Sequence, residues 1–510
     1  MLTIGLFLLI TANGTANSDV ARVQKVYEET YARQLVPMTS QLVQFPTYVD
    51  NAEAHAEQKA WLFKTAKELG FEARDAGKVT EIELPGPENA PVLGLVIHGD
   101  VQRADAEAWS VPPFAGLVVD GYVTGRGSAD DKGPLAQALL TMKALADSGI
   151  ARTHTIRLLV GSEEESSAGE MAEYLKDHQP PDYSLVLDSE FPVVVGEKAW
   201  DGLALSVAFG SEREGVTKPW RVVKMDAGLS PSIVPDHAEI HLEWKGERVN
   251  WDPLIEELGA VKLPEGTRIV AGLGPKASIL RVVAYGKSAH SGVNLSGGRN
   301  ALIALARALE GKLPTGGADD LFAFIRMAGK DLHGSGLGIT DEHPIWGRYG
   351  LNVATIKTLE KDENQVVLMI NLRRIPPRTG PQLKAYLYDV VAKFNAKQGS
   401  SLTPNGEAEW FQDEPLGFDV NAPIVKRLMN VYAAATGERA RPAISGGGTY
   451  AKRLPNAIAF GMWFPGKPYP GHDVDEKISI GDLQRGARVL IHALVDIATK
   501  PKIENAFGKK

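Results

Sequence analysis

The chain has 510 residues, 44% apolar and 23% charged, with a formal net charge of −8 and no cysteine. That length exceeds what one hydrophobic core usually supports, so two or more domains are expected. The acidic balance without a clustered basic stretch argues against a nucleic-acid partner and for a soluble small-molecule or peptide substrate, while the missing thiols exclude disulfides, Cys nucleophiles and Cys-ligated zinc, so any metal must sit on histidines and carboxylates.

Residues 1–17, a candidate leader, open with an apolar core, Met1 to Ala12, and the small, polar run Asn13 to Ser18 follows. This pattern reads as a secretory signal peptide, too short to span a bilayer, although no Lys or Arg precedes the apolar core. It predicts an exported protein, periplasmic or secreted, with no membrane span once the leader is removed. Val20, Val23, Tyr27, Tyr31 and Leu35 then recur at helical spacing, and Ala56 to Leu69 form a second helix stopped by Gly70. The apolar run Val92 to Ile97 is a strand that ends at His98-Gly-Asp100. A glycine-rich turn, Gly125-Arg-Gly-Ser-Ala-Asp-Asp-Lys-Gly-Pro134, leads into a helix over 134–148 whose Leu135, Leu139, Met142 and Leu145 share one face.

The next strand, Ile156 to Val160, ends at Glu163, Glu164 and Glu165, and the capping-box spacing of Ser167 and Glu170 predicts a helix running towards His178. Tyr183 to Leu187 is a third strand, ending at Asp188. After Pro192 the pattern changes to paired alternating runs such as Leu351 to Thr358 and Gln365 to Leu372, with one clear helix, Arg299 to Leu309. The core pattern resumes near Leu416, with a helix over Ile424 to Ala435 and a strand over Ala457 to Phe464 leading to Gly471-His-Asp-Val-Asp-Glu476. These changes predict an α/β catalytic domain from residues 18–195 and 410–510, interrupted by an inserted domain with an antiparallel sheet at 196–409.

His98, the Asp130-Asp131 pair, the glutamate run, Asp188 and His472 each follow a predicted strand, the edge where sites form in open α/β sheets. Singly, each has a bland reading. Asp130 and Asp131 can cap a helix, the glutamates can be a solvated loop, and His98 and His472 can be turn residues. Jointly they supply hard and borderline donors suited to two Zn, Mn or Co ions bridged by a carboxylate and a water. Asp100, two residues after His98, can orient a metal-bound imidazole.

These motifs, with Leu187-Asp-Ser-Glu-Phe-Pro192, Gly196-Glu-Lys198, Gly446-Gly-Gly-Thr-Tyr450 and Glu476-Lys-Ile-Ser-Ile480, resemble those of metallopeptidase family M20. Within it they are similar to the PepV-type dipeptidases, across residues from about 20 to 500. The resemblance implies a zinc-peptidase-like catalytic domain, with a mixed, mostly parallel sheet flanked by helices, and an inserted α+β lid domain. It implies that His98, Asp130, Glu165, Asp188 and His472 hold two divalent ions, zinc first and manganese or cobalt as alternatives, with Asp130 as the bridge. By the same resemblance Glu164 is the general acid/base and Asp100 the orienting carboxylate, Asp131 is structural, and Glu163 occupies the place of a usual Asp. In the insertion, His290 of Gly286-Lys-Ser-Ala-His-Ser291 would stabilise the oxyanion. Arg373 would hold a substrate carboxylate, with Arg374 next to it as a competing candidate.

Two positions depart from the pattern: Asp475 stands where Asn is usual, and Ser232 where a substrate-binding Asn is expected. The implied activity is hydrolysis of dipeptides with a free carboxylate by a monomer. The alternatives are an M20 N-acyl-amino-acid deacylase or carboxypeptidase and, from a different class, a catalytically silent peptide-binding protein, against which the retained ligands and Glu164 speak. An M28-type aminopeptidase shares the ligand order but lacks the long insertion.

Overall fold

The apolar runs around Leu95, Leu158 and Leu185 become the parallel centre of a six-stranded sheet. In chain order its strands are β1 (Glu72–Ala76), β2 (Val79–Leu84), β3 (Val92–His98), β4 (Thr155–Gly161), β5 (Tyr183–Val186) and β6 (Ala457–Ala459), arranged β1-β2-β4-β3-β5-β6. Strands β4, β3, β5 and β6 run parallel, and β1 and β2 add an antiparallel edge. Such a sheet needs cover on both faces. Alternation provides it: Leu93, Leu95, Ile97, Leu158 and Leu185 join one core, while Val96, Leu159 and Val186 join another.

The computed structural model describes residues 18–508 other than 360, 361, 468 and 470, so the predicted leader lies outside the described residues. The chain divides into two compact units, one of residues up to Glu197 and from Leu416 onward, the other Lys198–Pro415. No helix among the described residues is long and apolar enough to cross a membrane.

The first unit carries helices α1 (Ala32–Val43), α2 (Ala52–Glu68), α3 (Gly133–Asp147), α4 (Glu170–Asp177), α5 (Pro423–Thr436) and α6 (Ile480–Ala498). Helix α3 has Pro134 in its first turn, where a missing N–H costs nothing, and buries Leu135, Leu139, Met142 and Leu145 completely. Each such side chain contributes about 1.5–3 kcal/mol. Helix α4 departs from expectation: Gly169 is its N-cap, no side chain caps it, and the Ser167–Glu170 capping box does not form. Oε1 of the Glu170 carboxylate instead accepts the Glu163 N–H at 3.0 Å and the Tyr450 hydroxyl.

The strand expected over Ala457 to Phe464 is two pieces. Ala457–Ala459 joins the main sheet, whereas Met462–Trp463 pairs with Ser189–Glu190. Gly461, at φ +79°, makes the break, and a Cβ there would lie 2.5 Å from the Phe191 ring.

The second unit is an eight-stranded, wholly antiparallel sheet whose centre is Trp220–Ala227, Gly350–Leu359, Asp362–Arg374 and Ala199–Ala208. Among its described residues are helices Asp252–Gly259, Ala301–Ala308, Gly317–Ala328 and Gly380–Gln398, where periodicity marked one. The last had a readable signal in Thr379-Gly-Pro-Gln382, which closes a full capping box.

Candidate active site

Strand register begins the site. His98, the last residue of β3, is level with Gly161 of β4, and Val96 is level with Val186 of β5, so Asp188 emerges beside His98. Their side chains meet, His98 Nε2 lying 3.9 Å from Asp188 Oδ2. The turn before α3 brings Asp130 between them and the loop of His472: Asp130 Oδ1 is 2.8 Å from His98 Nε2 and Oδ2 is 3.2 Å from His472 Nε2. Glu165, in the loop after β4, completes the second half at 2.8 Å from His472 Nε2.

The five predicted ligands therefore form two triads, His98-Asp130-Asp188 and Asp130-Glu165-His472, that share Asp130. The donor set fits two divalent cations. It combines two imidazoles with three carboxylates, the hard and borderline donors that divalent cations take, and bound cations would relieve the crowding of acidic groups there.

Charge shifts follow from this crowding. Burial pushes the Glu164 carboxyl up to about 8, helped by Glu165 and Asp130. Burial, then Asp130 and Asp131, hold Asp188 well above the carboxylate range. Burial opposes charge on His98 and His472, yet the carboxylates win: Asp100 and Asp130 raise His98, and Glu165 and Asp130 lift His472 to about 10. In the ion-free protein the surroundings therefore favour the protonated form of both imidazoles and of Glu164. A metal ligand must shed its proton, so ion uptake at pH 7 is expected to release protons. The apparent affinity should rise about tenfold per pH unit for each proton released. Calorimetry in buffers of different ionisation enthalpy reads this directly; uptake without proton release would contradict the charge assignment.

Asp100 behaves differently from a simple orienting carboxylate. His98 Nδ1 faces the Asp100 carbonyl oxygen at 3.0 Å and its carboxylate at 3.6 Å. The carboxylate itself accepts the backbone N–H groups of Glu164, at 3.2 Å, and Glu165, at 2.9 Å. It thus ties the glutamate turn to the strand carrying His98. The three consecutive glutamates diverge: Glu163 pairs with Lys78 at 2.5 Å, Glu165 faces His472, and Glu164 is left with its side chain outside both triads. Asp131 is buried and accepts the His98 N–H at 3.4 Å. Asp475 accepts from the Ser110 N–H and hydroxyl at 2.8 and 2.9 Å.

In the second unit, Arg373 donates to Asn371 Oδ1 at 3.1 Å and to Ser291 Oγ at 3.0 Å, which joins it to the residue after His290. Among the described residues no carboxylate lies within salt-bridge reach of Arg373, and burial lowers its guanidinium to about 10. Arg374 is committed to Asp201 at 2.8 Å and Glu414 at 3.1 Å. His290 Nδ1 accepts the N–H groups of Gly292 and Val293, both at 3.0 Å, which leaves the ring proton on Nε2. Ser232 Oγ accepts the Trp200 indole N–H at 3.0 Å.

Residues 94–496 match the sequence model of peptidase family M20/M25/M40, and they make up most of the chain. The chain belongs to that family. Its members are peptidases, hence hydrolases, and family membership implies divalent metal ions. This M20 peptidase is 28% identical over 414 residues to "Putative dipeptidase YtjP" of Bacillus subtilis, covering 81% of this chain and 84% of that one. A Staphylococcus epidermidis protein of like description is 26% identical over 482 residues, covering 92% and 98%. Human carnosine dipeptidase 1 shares the fold at TM-score 0.57 and 12% identity, covering 93% of this chain and 98% of its own. The Saccharomyces cerevisiae di-peptidase Dug1p does so at 0.57 and 13%, covering 94% and 98%.

Three groups of this M20 peptidase's site had no role assigned from sequence. Glu476 accepts the N–H groups of Ala129 and Asp130 at 3.0 and 3.1 Å and pairs with Arg126 at 2.8 Å, while Arg126 also reaches the His472 carbonyl at 3.4 Å. This buried pair joins the Asp130 turn to the His472 loop. Gln102 donates to Glu165 Oε2 at 3.1 Å. The Tyr469 hydroxyl donates to Asp130 Oδ2. Arg126 and Glu476 lie inside the sequence motifs and were findable; Gln102 and Tyr469 carry no sequence signal. Arg126→Ala should cost about 3–5 kcal/mol by leaving Glu476 buried and uncompensated, read as a lower denaturation midpoint in urea. A midpoint equal to wild type would deny the pair its structural role.

Proposed function

We propose that this M20 peptidase is a metal-dependent dipeptidase that cleaves dipeptides bearing a free C-terminal carboxylate. The observation that carries the reading is the pair of triads sharing Asp130, with Glu164 beside them and outside both. The dipeptidase descriptions of its relatives support the substrate class. His98 and Asp188 would hold one ion and Glu165 and His472 the other, with Asp130 between them. Two divalent ions, zinc being the best match to this donor set, would supply an acidified water and polarise the scissile carbonyl.

Glu164 takes the proton of the attacking water on its carboxylate and returns it to the leaving amine nitrogen. Positive charge beside Glu165 and Asp130 draws its pKa down from the ion-free value of about 8, towards the operating pH where a general base is most effective. In the second unit, the Nε2 proton of His290 suits an oxyanion, and the buried guanidinium of Arg373, which forms no salt bridge among the described residues, suits a substrate carboxylate.

The test incubates zinc- or manganese-loaded protein with unmodified dipeptides, tripeptides and N-acetyl amino acids, beside a chelated control, and measures released amino acids. Chelator-sensitive cleavage confined to dipeptides is expected. Cleavage of acylated amino acids alone would move the protein to a deacylase, and two bound ions with no turnover would make it a silent binding protein.

A further inference from the structure

Tyr469 sits three residues before the ligand His472, and its side chain turns back to the shared carboxylate. Its hydroxyl donates to Asp130 Oδ2, the oxygen that also faces His472 Nε2. Oδ1, by contrast, faces His98. A carboxylate that serves two cations with one oxygen each must hold a fixed torsion about its terminal bond, because that torsion is broad and soft. A neutral donor fixed on one oxygen sets it.

Three features hold the phenol in place. Its ring lies against Trp463, with centroids 4.4 Å apart and planes at 38°. Trp463 is in turn on the two-residue ladder Met462–Trp463 with Ser189–Glu190, the segment directly after the ligand Asp188. The platform for Tyr469 is therefore tied to the neighbouring ligand strand. Finally, a Cβ at Gly471 would overlap the Tyr469 hydroxyl, so the absence of a side chain there makes the room that the phenol occupies. Only 7% of Tyr469 is exposed, which shields its hydrogen bond from competing water.

We propose that Tyr469 is the positioning residue of the shared carboxylate: it orients Asp130 so that Oδ1 serves the His98-Asp188 half and Oδ2 the Glu165-His472 half. The proposal rests on the two-ion reading of the site. Outer hydrogen-bond partners of ligands typically change metal affinity by about 10–100-fold. Tyr469→Phe removes the hydroxyl and keeps the ring on Trp463, so the effect should fall on ion binding rather than folding.

Isothermal titration of ion-free wild type, Tyr469→Phe and Gly471→Ala with Zn2+ and with Mn2+ tests it, alongside thermal melts of the ion-free proteins. Wild type should take up two ions. Tyr469→Phe should melt within a few degrees of wild type yet bind the more weakly held ion about 10–100-fold less tightly. Gly471→Ala, which displaces the hydroxyl without removing it, should shift affinity the same way and serves as the second reading if the phenylalanine variant folds poorly. Two-ion binding of wild-type strength in both variants overturns the positioning role and leaves the metal centre standing. Wild type that binds no ion overturns both.

Discussion

Glu164→Gln is expected to lower kcat by about a hundred- to ten-thousand-fold, roughly 3–5 kcal/mol of barrier, with KM and ion content close to wild type. The side chain belongs to neither triad, so the amide exchange should spare the ions. The turn is also secure, because its backbone N–H is held by the Asp100 carboxylate whatever the side chain. A neutral, isosteric amide mimics the protonated acid of the ion-free state. Stability supplies an independent check. With a folded pKa of about 8 against 4.5 for the free group, the ion-free wild type loses stability as pH rises from about 4.5 through 8. The variant has no such group, so ion-free Glu164→Gln should melt above wild type at pH 8 and together with it at pH 4. Full turnover by the variant would remove Glu164 from the mechanism.

Asp130→Asn should abolish two-ion binding and with it turnover, since Asp130 is the member common to both triads. Burial disfavours its charge, but His472 and His98 overcome this and hold its pKa well below the usual range, so the native state keeps it ionised. Replacing it removes the negative charge between the two histidines and turns one of the two carboxylate oxygens into an amide nitrogen, which leaves one half without its donor oxygen. The neighbouring Asp131→Asn is the control. Asp131 is in neither triad, burial pushes its carboxyl well above the ordinary value, and an amide of the same size keeps an oxygen to accept the His98 N–H. Titration with Zn2+ should show wild-type stoichiometry for Asp131→Asn and loss of the second ion for Asp130→Asn. The reverse result would exchange the roles of the two aspartates.

Much of the catalytic unit was legible because its signals are local. A continuous apolar run over Val92 to Ile97 and an apolar face at Leu135, Leu139, Met142 and Leu145 need no knowledge of distant residues. The acidic and imidazole residues after each strand could be read as one site because parallel strands deliver their carboxyl ends to a single edge. The insertion was less legible. Gly317–Ala328 begins with glycine and two aspartates nearby, a turn-like composition, and becomes a helix through burial of Leu321, Phe322, Phe324 and Ile325. Packing overrode local propensity there.

By itself the sequence determined the order along the chain of the strands and of the acidic and imidazole residues that follow them, and the chemical kind of site that histidines and carboxylates without cysteine can build. Tertiary structure alone decided the partners. That Glu170 serves Tyr450 and the Glu163 N–H rather than a capping box, that Arg374 is spent on Asp201 while Arg373 is not, and that Tyr469 reaches Asp130 are all matters of contact. The Tyr469 to Asp130 contact alone spans 339 residues of chain. Hydrogen bonds and charge pairs reach only a few ångströms, and which groups come that close is set by how sheets and helices pack, not by any pattern a short window of sequence contains.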